Sequence, residues 1–230
     1  MPQTSPWNKG KSVGQKAPFS PHDVQTIKQI LANAGNLRDL ALFSMGIDTM
    51  LRGADLLTLT VADVTDHTGA VVEEFTIHQQ KTGKSTVVAL LPYSRQVLTR
   101  WIAVSGKLPW QYLFTSVRNH TAQPLSTTQY RRLVKRWAAS ARLDPRKFST
   151  HSLRRTKATL IYQHTHNVEV VRQLLGQSSV AATSAYLGIE QRHALDIARK
   201  LERRFLKKIL PPIFKQVRLL VLVAVSFFPG

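Results

Sequence analysis

The residue types best suited to phosphate chemistry lie in the segment THSLRRTKATLIY, at positions 150–162. Its pattern predicts a helix over about 151–164 with Thr150 as the N-cap, so His151 and Arg154 share one face. A guanidinium is a rigid two-pronged donor to phosphate oxygens, and an imidazole can donate or accept a proton near neutral pH. The pair could therefore hold one phosphate, although His-x-x-Arg alone also occurs often by chance.

A candidate nucleophile follows in the segment LLGQSSVAATSAYLGI. Gly176 is placed to end one helix, and Ser178 or Ser179 is placed to cap the next. Tyr186 lies on that short second helix, and its phenol oxygen could attack a phosphorus atom. A lone tyrosine, however, is far more often a packing residue than a nucleophile.

Two further charged groups precede these segments. Arg52 lies three residues before Asp55 in LRGADLLTL, a spacing that by itself usually means an ion pair. Residues 70–91 are rich in Val, Phe, Ile and Thr, and a Lys-Thr-Gly-Lys turn interrupts them. This pattern predicts a β-hairpin with Lys81 at its turn and Lys84 as the competing lysine.

The charge of the chain favours a polyanionic partner. Among 230 residues, 32 Lys and Arg face 13 Asp and Glu, which gives a formal charge of +19 and a pI of about 10.9. Excess charge of this size repels itself in the folded state, and DNA or RNA would relieve that repulsion. A membrane surface, or a basic protein without a polyanionic partner, is the alternative.

Several classes of protein are excluded or disfavoured. The absence of cysteine excludes disulfides, a cysteine-ligated zinc site and a thiol nucleophile. No carboxylate stands at ligand spacing from His164, His166 or His193, so no metal site is expected. The sequence also lacks a secretory signal and an apolar run long enough to cross a bilayer, so a cytoplasmic location without a membrane partner is expected.

The remaining pattern predicts a mainly helical α+β fold with a small antiparallel sheet. Ser20 is placed to cap a first helix that has Pro21 at its first position. Trp101, Trp110 and Trp137 are expected in the core. Further helices are expected at about 36–47, 53–59, 93–104, 126–142, 168–175, 180–187 and 190–205.

The helix at 126–142 has a strongly basic surface. Its apolar stripe includes Tyr130, Val134 and Trp137, and basic residues cover much of the rest. Such a surface is either a solvated face or a face that follows DNA phosphates, and the net charge favours the second interpretation. The side chains expected to contact DNA are Lys9, Lys11, Lys16, Lys84, Arg131, Arg132, Lys135, Arg136 and Arg155.

The order of these groups resembles the catalytic domain of the tyrosine recombinases, the phage integrase family. The matching stretches run from Phe19 to Glu190, about three quarters of the chain. The most specific are HSLRRTKAT, then LLGQSS, then a tyrosine nine residues after Gln177. That spacing favours Tyr186 over Tyr162, which is a rival nucleophile by its helix position.

The resemblance implies a role for each matching residue. Tyr186 matches the nucleophile that forms a 3′-phosphotyrosyl link with DNA and releases a 5′-hydroxyl. Arg52 and Arg154 match the two arginines that clamp the non-bridging oxygens of the scissile phosphate. These residue types suit phosphoryl transfer, which depends on positioning and charge stabilisation.

Three other residues complete the implied site. Lys81 matches the hairpin lysine that protonates the leaving 5′-oxygen, and His151 matches the general acid/base histidine. Asp55 matches the acidic residue that supports the active-site network. The resemblance implies no cofactor. No metal is implied, because the two guanidiniums can stabilise the charge without one. No ATP is implied, because a tyrosyl ester conserves the phosphodiester energy for religation.

Two departures from the family bear on function. Gln177 stands where the family usually has His or Trp; its amide can donate a hydrogen bond to phosphate but cannot titrate. Only about eighteen residues precede the catalytic segment, where most members carry an additional DNA-binding domain. The chain therefore resembles the short members of the family that consist of the catalytic domain alone.

These features predict three regions and a site-specific recombinase of a bacterium, phage or mobile element. The regions are a flexible basic arm at 1–17, a catalytic domain at 18–205, and a basic and apolar tail at 206–230. Double-stranded DNA is the expected partner, and the resemblance implies a homo-oligomer, a tetrameric synapse on DNA. The alternatives are a type IB topoisomerase-like enzyme and a catalytically weak DNA-binding regulator. The tail either docks on a neighbouring protomer or is foreign to the domain.

Overall fold

Eight α-helices and one two-stranded hairpin build the described part of the chain, residues 15–116 and 123–188 in a computed structural model. This confirms the mainly helical α+β prediction. The helices are α1 (Pro21–Asn33), α2 (Leu37–Asp48), α3 (Gly53–Leu57), α4 (Pro92–Ser105), α5 (Thr127–Ser140), α6 (Thr150–Thr165), α7 (Val168–Leu175) and α8 (Val180–Leu187). The strands are β1 (Glu74–His78) and β2 (Ser85–Ala89). The predicted helix at 190–205 and the tail at 206–230 lie outside the described residues.

Local capping sets where the helices begin. Ser20 forms a capping box with Asp23 and is followed by Pro21, as predicted. The prediction for α6 was wrong by one residue. Its N-cap is Ser149, whose hydroxyl accepts from the backbone of His151, while Thr150 is already helical. The extended backbone of Ser149 explains the shift, because an N-cap keeps non-helical angles.

The core is built around α2, which is buried along most of its length. Phe43 and Trp137 meet edge to face at 5.5 Å, and the Trp137 indole donates to the carboxylate of Asp39 at 3.0 Å. Trp101 is only partly buried, and its indole donates to a backbone carbonyl. Trp110 contradicts the core prediction, because it is 71% exposed on a surface turn that follows α4.

The predicted hairpin is confirmed, with strands shorter than the apolar segment. β1 and β2 pair antiparallel, with Phe75 opposite Val88. Gln79 closes the turn through its backbone. Its backbone N–H donates to the carbonyl of Lys84 at 2.9 Å, and its backbone carbonyl accepts from the N–H of Gly83 at 2.8 Å. The turn needs a glycine at position 83, where φ is +64°.

A second, smaller apolar cluster holds α7 and α8 against α6. Its buried members are Met50, Ala158, Val171 and Leu175, and Tyr186 packs on its edge. Ser179, one of the two predicted caps, begins α8 by accepting from the backbone amide of Ala182. In the described ranges, no helix combines the length and apolar character that a membrane crossing requires.

Candidate active site

All six predicted catalytic side chains line one open cavity of about 440 Å³. They come from distant parts of the chain: the start of α3, the hairpin turn, α6, the turn after α7, and α8. Thr127 and Thr150 also line the cavity. The sequence analysis assigned neither of them to the site. The six are Arg52, Lys81, His151, Arg154, Gln177 and Tyr186.

Arg52 lies at the N-cap position of α3 and is held from two sides. On one side its Nη1 is 4.0 Å from Oδ2 of Asp55, a carboxylate that is almost fully buried. On the other side Nη1 donates to Oε1 of Gln79. The other carboxylate oxygen of Asp55 accepts from the backbone of Gln80 at 3.0 Å, so Asp55 also ties the hairpin to α3. The predicted supporting role of Asp55 thus has a geometric basis.

Arg154 is the most buried of the predicted catalytic charges, with 6% of its surface exposed. Its Nη2 donates to the carbonyl of Leu175 at 2.6 Å, which satisfies an open carbonyl at the end of α7. Burial lowers the pKa of the Arg154 guanidinium, although Tyr186 opposes this shift. A guanidinium remains charged under such conditions, so Arg154 supplies a fixed positive charge to the cavity.

Tyr186 presents a protonated phenol. Burial raises the pKa of Tyr186 to about 12, although Arg154, Arg155 and Arg52 lower it in part. The Tyr186 hydroxyl lies 3.5 Å from the backbone carbonyl of His151. The Arg155 guanidinium lies 5.9 Å from the ring centroid. A base must therefore take the phenol proton if this oxygen is to attack.

His151 is suited to accept a proton. It occupies the first turn of α6 and lines the cavity, where its imidazole is partly covered by the protein. Partial burial lowers the pKa of the imidazole, and the charges of Arg154 and Arg52 lower it further. At neutral pH the neutral imidazole therefore predominates, and this is the form that acts as a base.

The two lysines of the hairpin turn point to different cavities. Lys81 lines the active-site cavity, whereas Lys84 lines a neighbouring cavity of about 420 Å³ together with Arg172. Gln177 lines both cavities, but of the two lysines only Lys81 shares a cavity with Arg52, His151, Arg154 and Tyr186. This placement favours Lys81 over Lys84 as the hairpin lysine of the candidate site.

Gln177 lines both cavities. Its side-chain oxygen accepts from the hydroxyl of Thr183, which is fully buried, at 2.6 Å. Its backbone carbonyl accepts from Arg172 at 2.7 Å. Because the oxygen points to Thr183, the NH₂ group points away from Thr183 and is the side-chain donor that Gln177 can offer to a phosphate. Sequence reasoning missed Thr183, since nothing in its pattern distinguishes it from a packing residue.

Seven of the nine predicted DNA-contacting residues lie in the described part of the chain, and one of them, Lys84, is exposed at the hairpin turn. Four basic side chains on α5 are exposed: Arg131, Arg132, Lys135 and Arg136. Lys16 and Arg155 instead contact the protein, since Arg155 donates to the carbonyl of Lys16 and Lys16 donates to the carbonyl of Arg146. Lys9 and Lys11 lie outside the described residues.

Tyr162, His164 and His166 do not line this cavity. Tyr162 packs on the smaller apolar cluster and meets the ring of His166 at 6.0 Å. No group of three or more metal-ligating side chains forms within residues 15–116 and 123–188. His193 lies outside the described residues.

Comparison with known proteins identifies the family. The model of the phage integrase family matches residues 19–193. A probable integrase/recombinase of Bacillus subtilis, YoeC, is 34% identical over 170 residues, covering 73% of this chain and 86% of that protein. The tyrosine recombinase XerD of Xanthomonas axonopodis pv. citri is 31% identical over 180 residues, covering 71% of this chain and 54% of XerD.

Solved structures show the same fold. The crystal structure of XerA recombinase superposes with a TM-score of 0.64 at 19% identity, covering 82% of this chain and 65% of that one. XerH site-specific recombinase, in a post-cleavage complex with palindromic difH substrate, gives 0.64 at 21% identity, covering 82% and 54%. The fold is that of tyrosine recombinase catalytic domains. The chain spans about half the length of its XerD relatives. It belongs to the phage integrase family.

Proposed function

We propose that this protein is a tyrosine-type site-specific DNA recombinase or integrase. It cuts and rejoins double-stranded DNA through a 3′-phosphotyrosyl intermediate. The observation that carries the proposal is the convergence of Arg52, Lys81, His151, Arg154 and Tyr186 on one cavity from separate segments of the chain. The relatives named integrase/recombinase and tyrosine recombinase support it.

In the cleavage step, Tyr186 supplies the attacking oxygen. A bond forms between the phenol oxygen and the phosphorus, and the bond between phosphorus and the 5′-oxygen breaks. His151 accepts the phenol proton, and Lys81 gives a proton to the leaving 5′-oxygen. Religation reverses the step when a free 5′-hydroxyl attacks the phosphotyrosyl ester, so the number of phosphoester bonds is conserved.

The two guanidiniums stabilise the charge that develops on the phosphate. Arg52 and Arg154 approach from different elements, so they can contact different non-bridging oxygens. Gln177 adds a neutral hydrogen-bond donor. Preorganised donors of this kind supply the main electrostatic part of catalysis in a partly desolvated site.

DNA contacts extend beyond the cavity. Thr127, the first residue of α5, lines the cavity, and the exposed basic residues of α5 continue from it. A duplex that places its phosphate at Tyr186 would thus lie near this face. Arm residues Lys9, Lys11 and Lys16, with Lys84 and Arg155, add positive charge to the same binding event. A tetramer on DNA fits this chemistry, because exchange between two duplexes breaks four strands.

A covalent-trapping experiment tests the proposed function. Nicked duplexes that tile the DNA flanking the gene lose their 5′-hydroxyl fragment on cleavage, so the adduct cannot religate. We expect a covalent protein–DNA adduct from some of these duplexes and recombinant products from the intact sites. Relaxation of supercoiled DNA without recombinants would indicate a topoisomerase-like enzyme. Specific binding without any adduct would indicate a regulator.

A further inference from the structure

The side chain of Gln79 is buried at a point where three parts of the candidate site meet. Only 2% of its surface is exposed, although its amide is polar. The residue follows β1 and begins the turn that carries Lys81. Sequence reasoning did not select it, because no motif marks it and its partner Arg52 lies 27 residues earlier in the chain.

The first contact of Gln79 is with Arg52. Its Oε1 accepts from Nη1 of Arg52 and also from the hydroxyl of Thr82, the latter at 3.1 Å. A guanidinium has five N–H donors, so one bond to Gln79 fixes its orientation and leaves others for a phosphate. A neutral acceptor also keeps the full positive charge at the site, which a second carboxylate next to Asp55 would reduce.

The second contact is with the turn itself. The backbone of Gln79 bonds to Lys84 and Gly83, and its side chain bonds to Thr82. Every turn residue that flanks Lys81 on its C-terminal side is thus bonded to Gln79. The backbone bonds would form with any residue at this position, but the Thr82 bond needs the side chain, so Arg52 and the lysine turn share one side-chain acceptor.

The third contact is with the turn between α7 and α8. Gln79 Nε2 donates to the hydroxyl of Thr86 on β2 at 2.9 Å. This bond makes Nε2, and not the oxygen, the end of the amide that faces the turn. A Cβ at Gly176 would lie only 2.6 Å from this nitrogen. Gly176 precedes Gln177, and its neighbour Leu175 supplies the carbonyl that holds Arg154. Gln79 therefore packs directly against the backbone that positions these two groups.

We infer that Gln79 is a positioning residue that holds Arg52, the Lys81 turn and the α7–α8 turn in a fixed arrangement relative to one another. This inference rests on the proposed function of the same cavity. Gln79 itself contacts no substrate; it acts through the groups that do. Its amide has a fixed direction, since Arg52 binds its oxygen and Thr86 its nitrogen.

Three variants separate positioning from simple packing. Gln79→Met keeps the shape of the side chain and removes its hydrogen bonds. Gln79→Glu restores an acceptor for Arg52. Gln80→Ala is the matched control, because Gln80 is the adjacent, exposed glutamine and, among the residues that the structure describes, its side chain hydrogen-bonds to Thr58 alone.

Single-turnover cleavage of a nicked duplex is the first measurement. We expect Gln79→Met to slow cleavage on the order of 10–100-fold, the loss typical of a hydrogen bond to a charged group, with little change in DNA affinity. Gln79→Glu should recover part of that loss, and Gln80→Ala should cleave at the rate of the parent. In an Arg52→Ala background, Gln79→Met should cost much less than it does alone. Equal losses in both backgrounds would overturn the inference.

A measurement on the DNA-free protein decides the question independently of cleavage. Nitrogen NMR of arginine side chains reports how fast each guanidinium rotates. We expect slow rotation of the Arg52 guanidinium in the parent and in Gln80→Ala, and fast rotation in Gln79→Met. Equal rotation in the parent and Gln79→Met would refute the positioning role. Failure of the proposed function is distinguishable, because it would appear as a parent protein that forms no DNA adduct while Arg52 is still ordered by Gln79.

Discussion

The two arginines of the cavity are anchored largely by neutral acceptors. Arg154 donates to the backbone carbonyl of Leu175, and Arg52 donates to the side-chain amide oxygen of Gln79. The Asp55 carboxylate lies 4.0 Å from Arg52. Neutral acceptors orient a guanidinium without cancelling its charge. Both cations are therefore available to a phosphate whose negative charge develops during transfer.

Replacement of either arginine should slow cleavage far more than it weakens DNA binding. We expect Arg52→Ala or Arg154→Ala to slow single-turnover cleavage by about 10²–10³-fold, the range for loss of one preorganised donor. The double variant should fall short of the product of the two losses, because both groups act on one phosphate. Arg100→Ala is the control, because Arg100 is exposed, does not line the cavity, and its replacement removes the same single positive charge. Full activity of either single variant would contradict the clamp.

The pH dependence of cleavage should report the neutral form of His151. Its pKa is lowered from an ordinary value of 6.5, so the neutral base persists to lower pH than usual. Under subsaturating DNA, the rate reflects the free protein. We therefore expect the acidic limb of the second-order rate constant to have its midpoint below 6.5, and His151→Gln to remove that limb. A midpoint above 6.5 in the parent, on a limb that His151→Gln abolishes, would show that the protein does not keep the imidazole neutral.

At the scale of elements, the turn between α7 and α8 controls the geometry of the site. Gly176 ends α7 in the left-handed conformation, with φ of +61°. The turn places Gln177 at the cavity and leads into α8, which carries Tyr186. Close packing of Gly176 on Gln79 leaves no space for a side chain.

Two glycine substitutions separate backbone strain from this close packing. Gly106 ends α4 with φ of +60°, and nothing lies within 4 Å of the position that a Cβ would occupy there. Gly106→Ala therefore adds strain alone, which costs about 1–2 kcal/mol of stability. Gly176→Ala adds the same strain and displaces Gln79. We expect Gly176→Ala to lower the melting temperature at least as much as Gly106→Ala does, and to be the one of the two variants with a severe cleavage defect. Equal cleavage by both would show that the packing at Gly176 is not needed.

The elements were more predictable from sequence than the contacts between them. Helical spacing placed His151 and Arg154 on one face, and apolar strands around Lys-Thr-Gly-Lys indicated the hairpin. Capping at Ser149 was missed by one residue, because adjacent Ser and Thr both suit an N-cap. Gln79 and Thr183 could not be found, since their roles come from partners that only the folded chain brings close. Exposure of Trp110 likewise depends on a turn whose direction the pattern does not encode.

At the scale of the whole molecule, the net charge of +19 should strengthen binding to a polyanion such as the proposed DNA substrate. Residues 15–17 are tied to the folded part, because Gln15 donates to the carbonyl of Ala185 and Ala17 donates to the carbonyl of Lys147 at 3.0 Å. Ala185 directly precedes Tyr186. The end of the arm therefore contacts the helix that carries the nucleophile, and only residues before Gln15 can be removed without loss of these contacts.

Removal of residues 1–14 should weaken DNA binding without changing the cleavage rate of bound DNA. The deletion takes away Lys9 and Lys11, so the slope of log K against log salt should become shallower by up to about 1.8, at about 0.9 for each phosphate contact. Binding titrations at several salt concentrations measure this slope. Lys9→Gln with Lys11→Gln in the full chain is the control for charge alone. An unchanged slope would mean that this part of the arm does not contact DNA.

The central claim is that the phenol oxygen of Tyr186 becomes bonded to DNA. Its most direct test is to trap the protein on a nicked duplex, denature and digest it, and locate the phosphotyrosyl peptide by mass spectrometry. We expect the adduct on Tyr186 in the parent and no adduct with Tyr186→Phe. This variant keeps the ring that packs on the smaller apolar cluster, so it should still bind DNA. An adduct on Tyr162, or one that survives Tyr186→Phe, would contradict the account.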